Sequence, residues 1–250
     1  GRLLLSYGGR CVGDDLGDDA GLDLALFRGR IALTVDAYDK KTTDLLQSRN
    51  VPRSSGYSTR WVTQGTIRNR GLEFSLETLV AKGRNFEWTV AGNISLNRNC
   101  LESLGFAVDP KSIYLEPGVQ SDIRYYLGSN IGNGRYLNCP GNIFIEGQPI
   151  GLFYGYATDG IVRDGQTGPS FSAGSTLGPG YIKYVDCNAD GYIDTDDRCV
   201  IGDPNPDFTF GFGTSLYWGN LSLSLAFNGS YGNDVLNSNL NQLWDTGYDS

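Results

Sequence analysis

Four of the five aspartates and the one asparagine in a twelve-residue stretch, residues 186–197, have a characteristic spacing. Their side-chain oxygens fall at positions 1, 3, 5, 9 and 12, the spacing of a calcium-binding loop, and Gly191 stands at position 6, where such a loop turns sharply. Calcium takes six or more oxygen ligands, so the stretch predicts a structural calcium site. The predicted ligands are the side chains of Asp186, Asn188, Asp190, Asp194 and Asp197 and the backbone carbonyl of Tyr192.

Two features depart from a helix–loop–helix calcium site. Asp197 is shorter than the glutamate that usually closes the loop, which weakens closure. The flanking residues 181–185 are strand-like, and residues 201–206 contain prolines that cannot continue a helix. The alternative is an acidic, solvated turn that binds no ion.

Cys187 and Cys199 lie near the two ends of this stretch. The alternatives for them are a disulfide bond or two free thiols. The odd number and wide scatter of the five cysteines favour free thiols.

The composition excludes several classes of function. The 250 residues include no histidine, which removes the commonest general base and the histidine-containing catalytic and zinc sites. The net charge of −8 opposes binding to nucleic acid. We therefore expect neither an enzyme nor a nucleic-acid partner. The sequence has no apolar stretch long enough for a membrane helix, although spanning strands give a far weaker hydropathy signal.

The regular elements of the sequence have a period of two, which indicates β-strands with one apolar face. In residues 221–227 the odd positions are leucine or phenylalanine and the even positions are serine or alanine. The runs are about 8 to 12 residues long, close to the ~9 to 11 that a tilted strand needs to cross a bilayer. Short turns at residues 28–30, 81–85 and 219–220 join them into three hairpins. The prediction is an all-β fold in which antiparallel hairpins form part of a large transmembrane β-barrel, incomplete in this chain.

Residue types at the ends and on the second face of these strands agree with a barrel. Aromatic residues lie beside the short turns, where a membrane-interface girdle is expected: Phe27, Phe86, Trp88 and Trp218. The polar face would line a wet lumen with Asp36, Glu73, Glu77, Glu87, Asn93 and Asn228.

Long connectors, residues 41–70 and 98–206, alternate with the short turns. Outer-membrane barrels have short periplasmic turns and long extracellular loops, so both connectors are predicted to be extracellular, as parts of one partial barrel domain over residues 1–250. Alternation alone does not distinguish lipid from a protein core. The alternative is a secreted, calcium-stabilised, carbohydrate-binding β-sandwich, whose loop aromatics would stack on sugars: Tyr57, Trp61, Tyr125, Tyr126, Tyr154 and Tyr156.

Several sequence runs resemble, in the same order, the C-terminal barrel region of SusC/RagA-type TonB-dependent outer-membrane transporters. They are residues 38–46, 69–74, 147–161 and 190–208. The resemblance implies a fragment of a plugged barrel in the outer membrane of a Gram-negative bacterium. It also implies import of oligosaccharides or peptides, energised by TonB, with a SusD-like surface lipoprotein as partner. No plug, TonB-contacting segment or substrate-binding residue is identified in this chain.

Overall fold

The computed structural model describes residues 15–50, 59–63, 65–106, 109–130, 140–171, 174 and 176–237. These residues divide into two compact units, one made of the residues up to Gly105 together with Asn205–Asn233, and the other of Phe106–Pro204 together with residues 234–237. Among the described residues, no helix is long and apolar enough to cross a membrane.

The described part of the first unit contains eight strands. They are β1 (Asp15–Leu26), β2 (Ile31–Thr43), β3 (Leu46–Asn50), β4 (Thr59–Thr63), β5 (Thr66–Lys82), β6 (Phe86–Ser103), β17 (Phe208–Trp218) and β18 (Leu221–Tyr231). Six of them form one antiparallel sheet in the order β1-β2-β5-β6-β17-β18, and β3 pairs with β4. The three predicted hairpins and the all-β fold are confirmed.

The turn between β17 and β18 shows how the sequence sets the hairpin register. Only Gly219 and Asn220 separate the strands, and Gly219 has a φ of +61°. A two-residue hairpin of this kind requires glycine or a similarly permissive residue where φ is positive. Trp218 therefore pairs with Leu221, and the pairing continues without interruption to Phe208 and Tyr231.

The register places the apolar residues of all six strands on one face. One row across the sheet reads Leu24, Leu33, Leu76, Gly92, Phe212 and Phe227. The neighbouring row on the opposite face reads Asp23, Thr34, Ser75, Asn93, Gly211 and Asn228. The sheet thus has one apolar and one polar side, as the alternation predicts.

The strands extend further than the apolar–polar alternation indicates. The alternation ends near Ala37 in β2, but pairing with β5 continues to Thr43 and Thr66. Charged residues replace apolar ones there while the backbone ladder is unchanged. The predicted connectors 41–70 and 98–206 accordingly shorten to residues 44–65 and 104–207.

The second unit folds around a small core of its own. From the sequence this region is predicted only as a long connector, without a core. Its strands are β7 (Lys111–Glu116), β8 (Val119–Ile123), β9 (Tyr125–Leu127), β10 (Asn142–Ile145), β11 (Leu152–Tyr156), β12 (Thr158–Ile161), β13 (Ser170–Phe171), β14 (Ile182–Tyr184), β15 (Tyr192–Ile193) and β16 (Arg198–Gly202). The main sheet has the order β8-β7-β16-β11-β10-β9, and Ile113, Ile143, Ile145 and Leu152 are buried together. Strands of two to six residues are too short to show a period in the sequence.

Candidate functional site

The apolar face of the six-stranded sheet is largely exposed. Nine of its large side chains are 37% to 56% exposed: Leu72, Phe74, Leu76, Ile94, Phe210, Phe212, Leu223, Leu225 and Phe227. Exposed apolar surface that runs without a break across neighbouring strands marks a site that contacts lipid or another apolar surface. A sandwich would cover this face with a second sheet, whereas these side chains are exposed.

The height of this face matches a bilayer. The eleven residues of β18 rise about 33 Å along the strand, and a tilt of about 40° reduces this to about 25 Å. That is the height of the apolar band of an outer-membrane barrel.

Aromatic residues lie at the short-turn end of the apolar face. Trp218 pairs with Phe86, and both Trp218 and Phe27 are well exposed. The Trp88 indole Nε1 donates a hydrogen bond to Thr214 Oγ1 at 2.9 Å. Rings with an apolar body and a polar edge suit the interface between lipid and water, so the arrangement agrees with the predicted girdle.

At the end of the apolar face that lies away from the short turns, charged residues replace apolar ones. In β2 the change takes two residues, from Ala37 to Asp39. We call this the charged band, defined by Asp39, Lys41, Arg68, Arg70, Arg98, Glu102 and Asp207. The Nε atoms of Arg68 and Arg70 lie 2.8 and 2.9 Å from the Asp39 carboxylate, and Arg98 Nη2 lies 2.9 Å from Asp207 Oδ1. Each exposed pair contributes little to stability, but together the charges end the apolar surface at one level. The charged band was not predicted from the sequence. The feature that indicates it is the series of charged residues that follows Ala37 on the same face of β2.

The opposite face of the sheet carries all six polar residues predicted to line a lumen. Gly71 leaves room there for the Tyr38 ring, which lies where a Cβ atom of residue 71 would be. The Tyr38 hydroxyl reaches over Gly71 to donate to Asn97 Oδ1 at 3.2 Å. We expect polar side chains in hydrogen-bonding networks such as this one to face water rather than lipid.

The acidic loop, residues 186–197, is closed by its own side chains. The Asp186 carboxylate accepts hydrogen bonds from the N–H groups of Ala189 and Gly191 at 2.6 and 2.8 Å. Asp190 accepts from Tyr192 N–H, also at 2.8 Å. Ala189 and Gly191 have φ angles of +60° and +91°, so the chain turns sharply here, as predicted for Gly191.

Asp197 joins the two ends of the acidic loop. Its carboxyl group is fully buried and accepts hydrogen bonds from the N–H groups of Cys187 at 2.9 Å and Asp194 at 2.7 Å. Burial raises the pKa of this carboxyl group above its ordinary value, and its hydrogen bonds from the backbone lower it only in part. Asp194 begins a 3-10 turn, Thr195–Asp197, by accepting from Asp196 N–H at 2.8 Å.

The predicted calcium ligands lie in one loop, but their oxygens point to backbone N–H groups. In the described part of the chain, no three acidic or cysteine side chains are grouped as a metal cluster. The donor set nevertheless has the hard oxygens that calcium prefers. None of the ion pairs in the described ranges involves the buried Asp197 carboxylate. The donor types therefore suit a divalent cation, but the side chains are not gathered around a common centre in this structure, and the calcium site stays a prediction.

Beside the acidic loop, the second unit has a cleft of about 410 Å³. Tyr114, Tyr125 and Tyr154 line it together with Asp196 and Arg198. Burial, above all other causes, raises the pKa of Tyr154 to about 12, so its hydroxyl is protonated at neutral pH. The cleft offers ring faces and hydrogen-bonding groups within one opening.

The other loop aromatics singled out in the sequence do not line this cleft. The Tyr126 ring packs edge-on against Phe106, and Tyr156 packs against Tyr184. Tyr57 and the side chain of Trp61 lie outside the described residues.

Comparison with known proteins gives a consistent group of relatives. No family model matches the chain. The chain is 35% identical over 227 residues to TonB-dependent receptor P3 of Formosa agariphila, covering 90% of this chain and 21% of the receptor. It is 26% identical over 222 residues to TonB-dependent receptor SusC of Bacteroides thetaiotaomicron, covering 87% of this chain and 19% of SusC.

The fold is similar to that of part of a solved transporter. The RagAB peptide importer in its closed-closed state matches with a TM-score of 0.61 and 21% sequence identity, over 88% of this chain and 21% of the transporter chain. Its open-open state also matches with a TM-score of 0.61. The chain spans about a fifth of the length of these relatives.

Proposed function

We propose that this chain, which is homologous to a segment of SusC/RagA-type TonB-dependent receptors, forms part of an outer-membrane nutrient importer. The observation that carries the proposal is the exposed apolar face about 25 Å high, which the charged band bounds at one end. In the full-length receptor this face contacts lipid and the polar face lines the lumen. The six strands would then be one sector of the barrel wall.

The transported nutrient is proposed to be an oligosaccharide or a peptide. Supporting this are the relation to SusC and the fold shared with a transporter described as a peptide importer. We propose that TonB energises import and that a SusD-like surface lipoprotein is the partner outside the cell. The chain's own part in this work is to supply barrel wall and extracellular surface.

We propose that the connectors at residues 44–65 and 104–207 lie outside the cell and the short turns in the periplasm. Supporting this topology are the aromatic residues beside the short turns and the charged band at the other end of the apolar face. The second unit, inserted between β6 and β17, leaves those two strands paired directly with each other. An insertion between strands that pair directly does not interrupt the barrel wall.

Protease added to intact cells that display the full-length receptor tests this orientation. We expect trypsin to cleave within residues 104–207 well before it reaches Lys82 or Arg84, since the β5–β6 turn would be shielded by the outer membrane. Cells with a permeabilised outer membrane provide the control and should allow cleavage at both places. Early cleavage at Lys82 or Arg84 in intact cells would reverse the orientation.

We also propose that the acidic loop binds one calcium ion with a structural role. Several carboxylates within twelve residues repel one another, and a divalent ion relieves that repulsion. Ligation requires Asp186, Asp190 and Asp197 to turn lone pairs toward a common centre, while their other lone pairs keep the backbone hydrogen bonds. The alternative is that these hydrogen bonds alone hold the loop.

Calorimetric titration of the purified full-length receptor with calcium distinguishes the two. We expect binding that is lost in the Asp186→Ala, Asp190→Ala double variant. Affinity should fall as the pH is lowered, because the raised pKa of Asp197 makes protons compete with calcium for that carboxylate. Equal heats from the receptor and the double variant, or no heat from either, would mean that this loop is a solvated turn.

A further inference from the structure

We propose that Cys187 and Cys199 form a disulfide bond that closes the acidic loop. Their Sγ atoms lie 3.5 Å apart, and both residues are almost completely buried, with 1% and 0% exposure. Both are free thiols in the structure. The scattered spacing of the cysteines favours free thiols, but the fold brings these two into contact across the loop.

The backbone of each cysteine is held in place independently. Cys199 lies in β16, where it pairs with Gly155 of β11 and with Tyr114 of β7. The Cys187 N–H donates to the buried Asp197 carboxylate, and the Cys187 carbonyl accepts a hydrogen bond from Gly118 N–H at 3.1 Å. The sheet and the loop closure therefore hold the two sulfurs as neighbours.

The acidic loop gains from this bond because both of its ends would be fixed covalently. A disulfide stabilises mainly by restricting the unfolded chain. With the ends joined, the carboxylates stay close together whether or not an ion is present. The bond would thus reinforce the closure that Asp197 provides through hydrogen bonds.

The chemistry is thiol–disulfide exchange with a disulfide-bonded oxidant of the periplasm. One cysteine thiolate attacks the oxidant disulfide and releases one oxidant thiol, and the second cysteine thiolate then attacks the mixed disulfide and releases the other. Overall the two cysteines lose two protons and two electrons, and the oxidant disulfide becomes two thiols. The inference rests on the proposed function only for this oxidising compartment.

The order of events follows from burial. Both sulfurs are almost completely buried, so an external thiol or disulfide has little access to them once the unit has folded. We expect oxidation while the loop is still open and slow exchange afterwards. A disulfide formed in this way resists mild reductants in the folded protein.

Peptide mapping tests the proposal, because trypsin cuts after Lys183 and Arg198 and so separates the two cysteines. Full-length receptor from outer membranes is denatured with an alkylating reagent, digested without reductant and analysed by mass spectrometry. We expect peptide 184–198 joined to the peptide that begins at Cys199, lighter than the two together by two hydrogens. Reduction should release both peptides. Cys100, which is only partly buried and has no sulfur partner in the described residues, should be alkylated before reduction.

The same mapping on receptor unfolded, reduced and refolded with oxidised glutathione tests the pair independently of cellular location. Peptide 184–198 alkylated at Cys187 before reduction in both samples would overturn the proposal, as would a link from Cys187 to any other cysteine. Cell fractionation reports separately whether the receptor is in the outer membrane. Failure of the membrane assignment would therefore be distinguishable from failure of the disulfide.

Discussion

Replacing Asp197 with alanine is expected to open the acidic loop at both ends. The substitution removes a fully buried acceptor and leaves the N–H groups of Cys187 and Asp194 without their partner. Each unsatisfied N–H costs about 1 to 3 kcal/mol, so the expected local loss for the two is about 2 to 6 kcal/mol. Amide hydrogen exchange of Cys187 and Asp194 in the full-length receptor, under reducing conditions, measures this loss directly.

Asp196→Ala is the matched control, because it removes a carboxylate from the adjacent, exposed position of the same 3-10 turn. Its exchange rates at Cys187 and Asp194 should stay close to those of the unaltered receptor. Asp197→Asn should lie between the two, since the amide keeps one acceptor oxygen of nearly the same shape. If Asp197→Ala and Asp196→Ala have the same effect, the loop is not held by the buried carboxylate.

The six-stranded sheet was largely predictable from the sequence because the residues on its two faces differ so strongly in polarity. In β17 and β18 the alternation and the short turn define the hairpin, and the structure places the turn at the two predicted residues, Gly219 and Asn220. The ends of β2, β5 and β6 were not predictable in the same way. Beyond Ala37 both faces are polar, so the period of two disappears from the sequence while the strands stay paired.

The second unit escaped prediction for a different physical reason. Its core depends on contacts between strands far apart in sequence, such as β7 with β16, and each strand is short. The spacing of the acidic loop was readable, since it depends on residues within twelve positions. The proximity of Cys187 to Cys199 was not, because it depends on how β16 returns beside the start of that loop.

The two faces of β18 also bear on how other substitutions should be interpreted. Leu225 and Ser224 are adjacent, yet the register places Leu225 beside Thr214 on the apolar face and Ser224 beside Ser215 on the polar face. The Ser224 and Ser215 hydroxyls lie 3.2 Å apart in a hydrogen bond. The same substitution therefore places the new side chain on the apolar face at Leu225 and on the polar face at Ser224.

The central claim, that the apolar face contacts lipid and the polar face water, is tested most directly by placing arginine at these two positions. Leu225 lies near the middle of the apolar span of β18, where arginine facing lipid costs about 2 to 4 kcal/mol. Unfolding of the full-length receptor in lipid vesicles should show this loss for Leu225→Arg and a change within about 1 kcal/mol for Ser224→Arg. Equal stability of the two variants, or a greater loss for Ser224→Arg, would contradict the assignment of the apolar face to lipid.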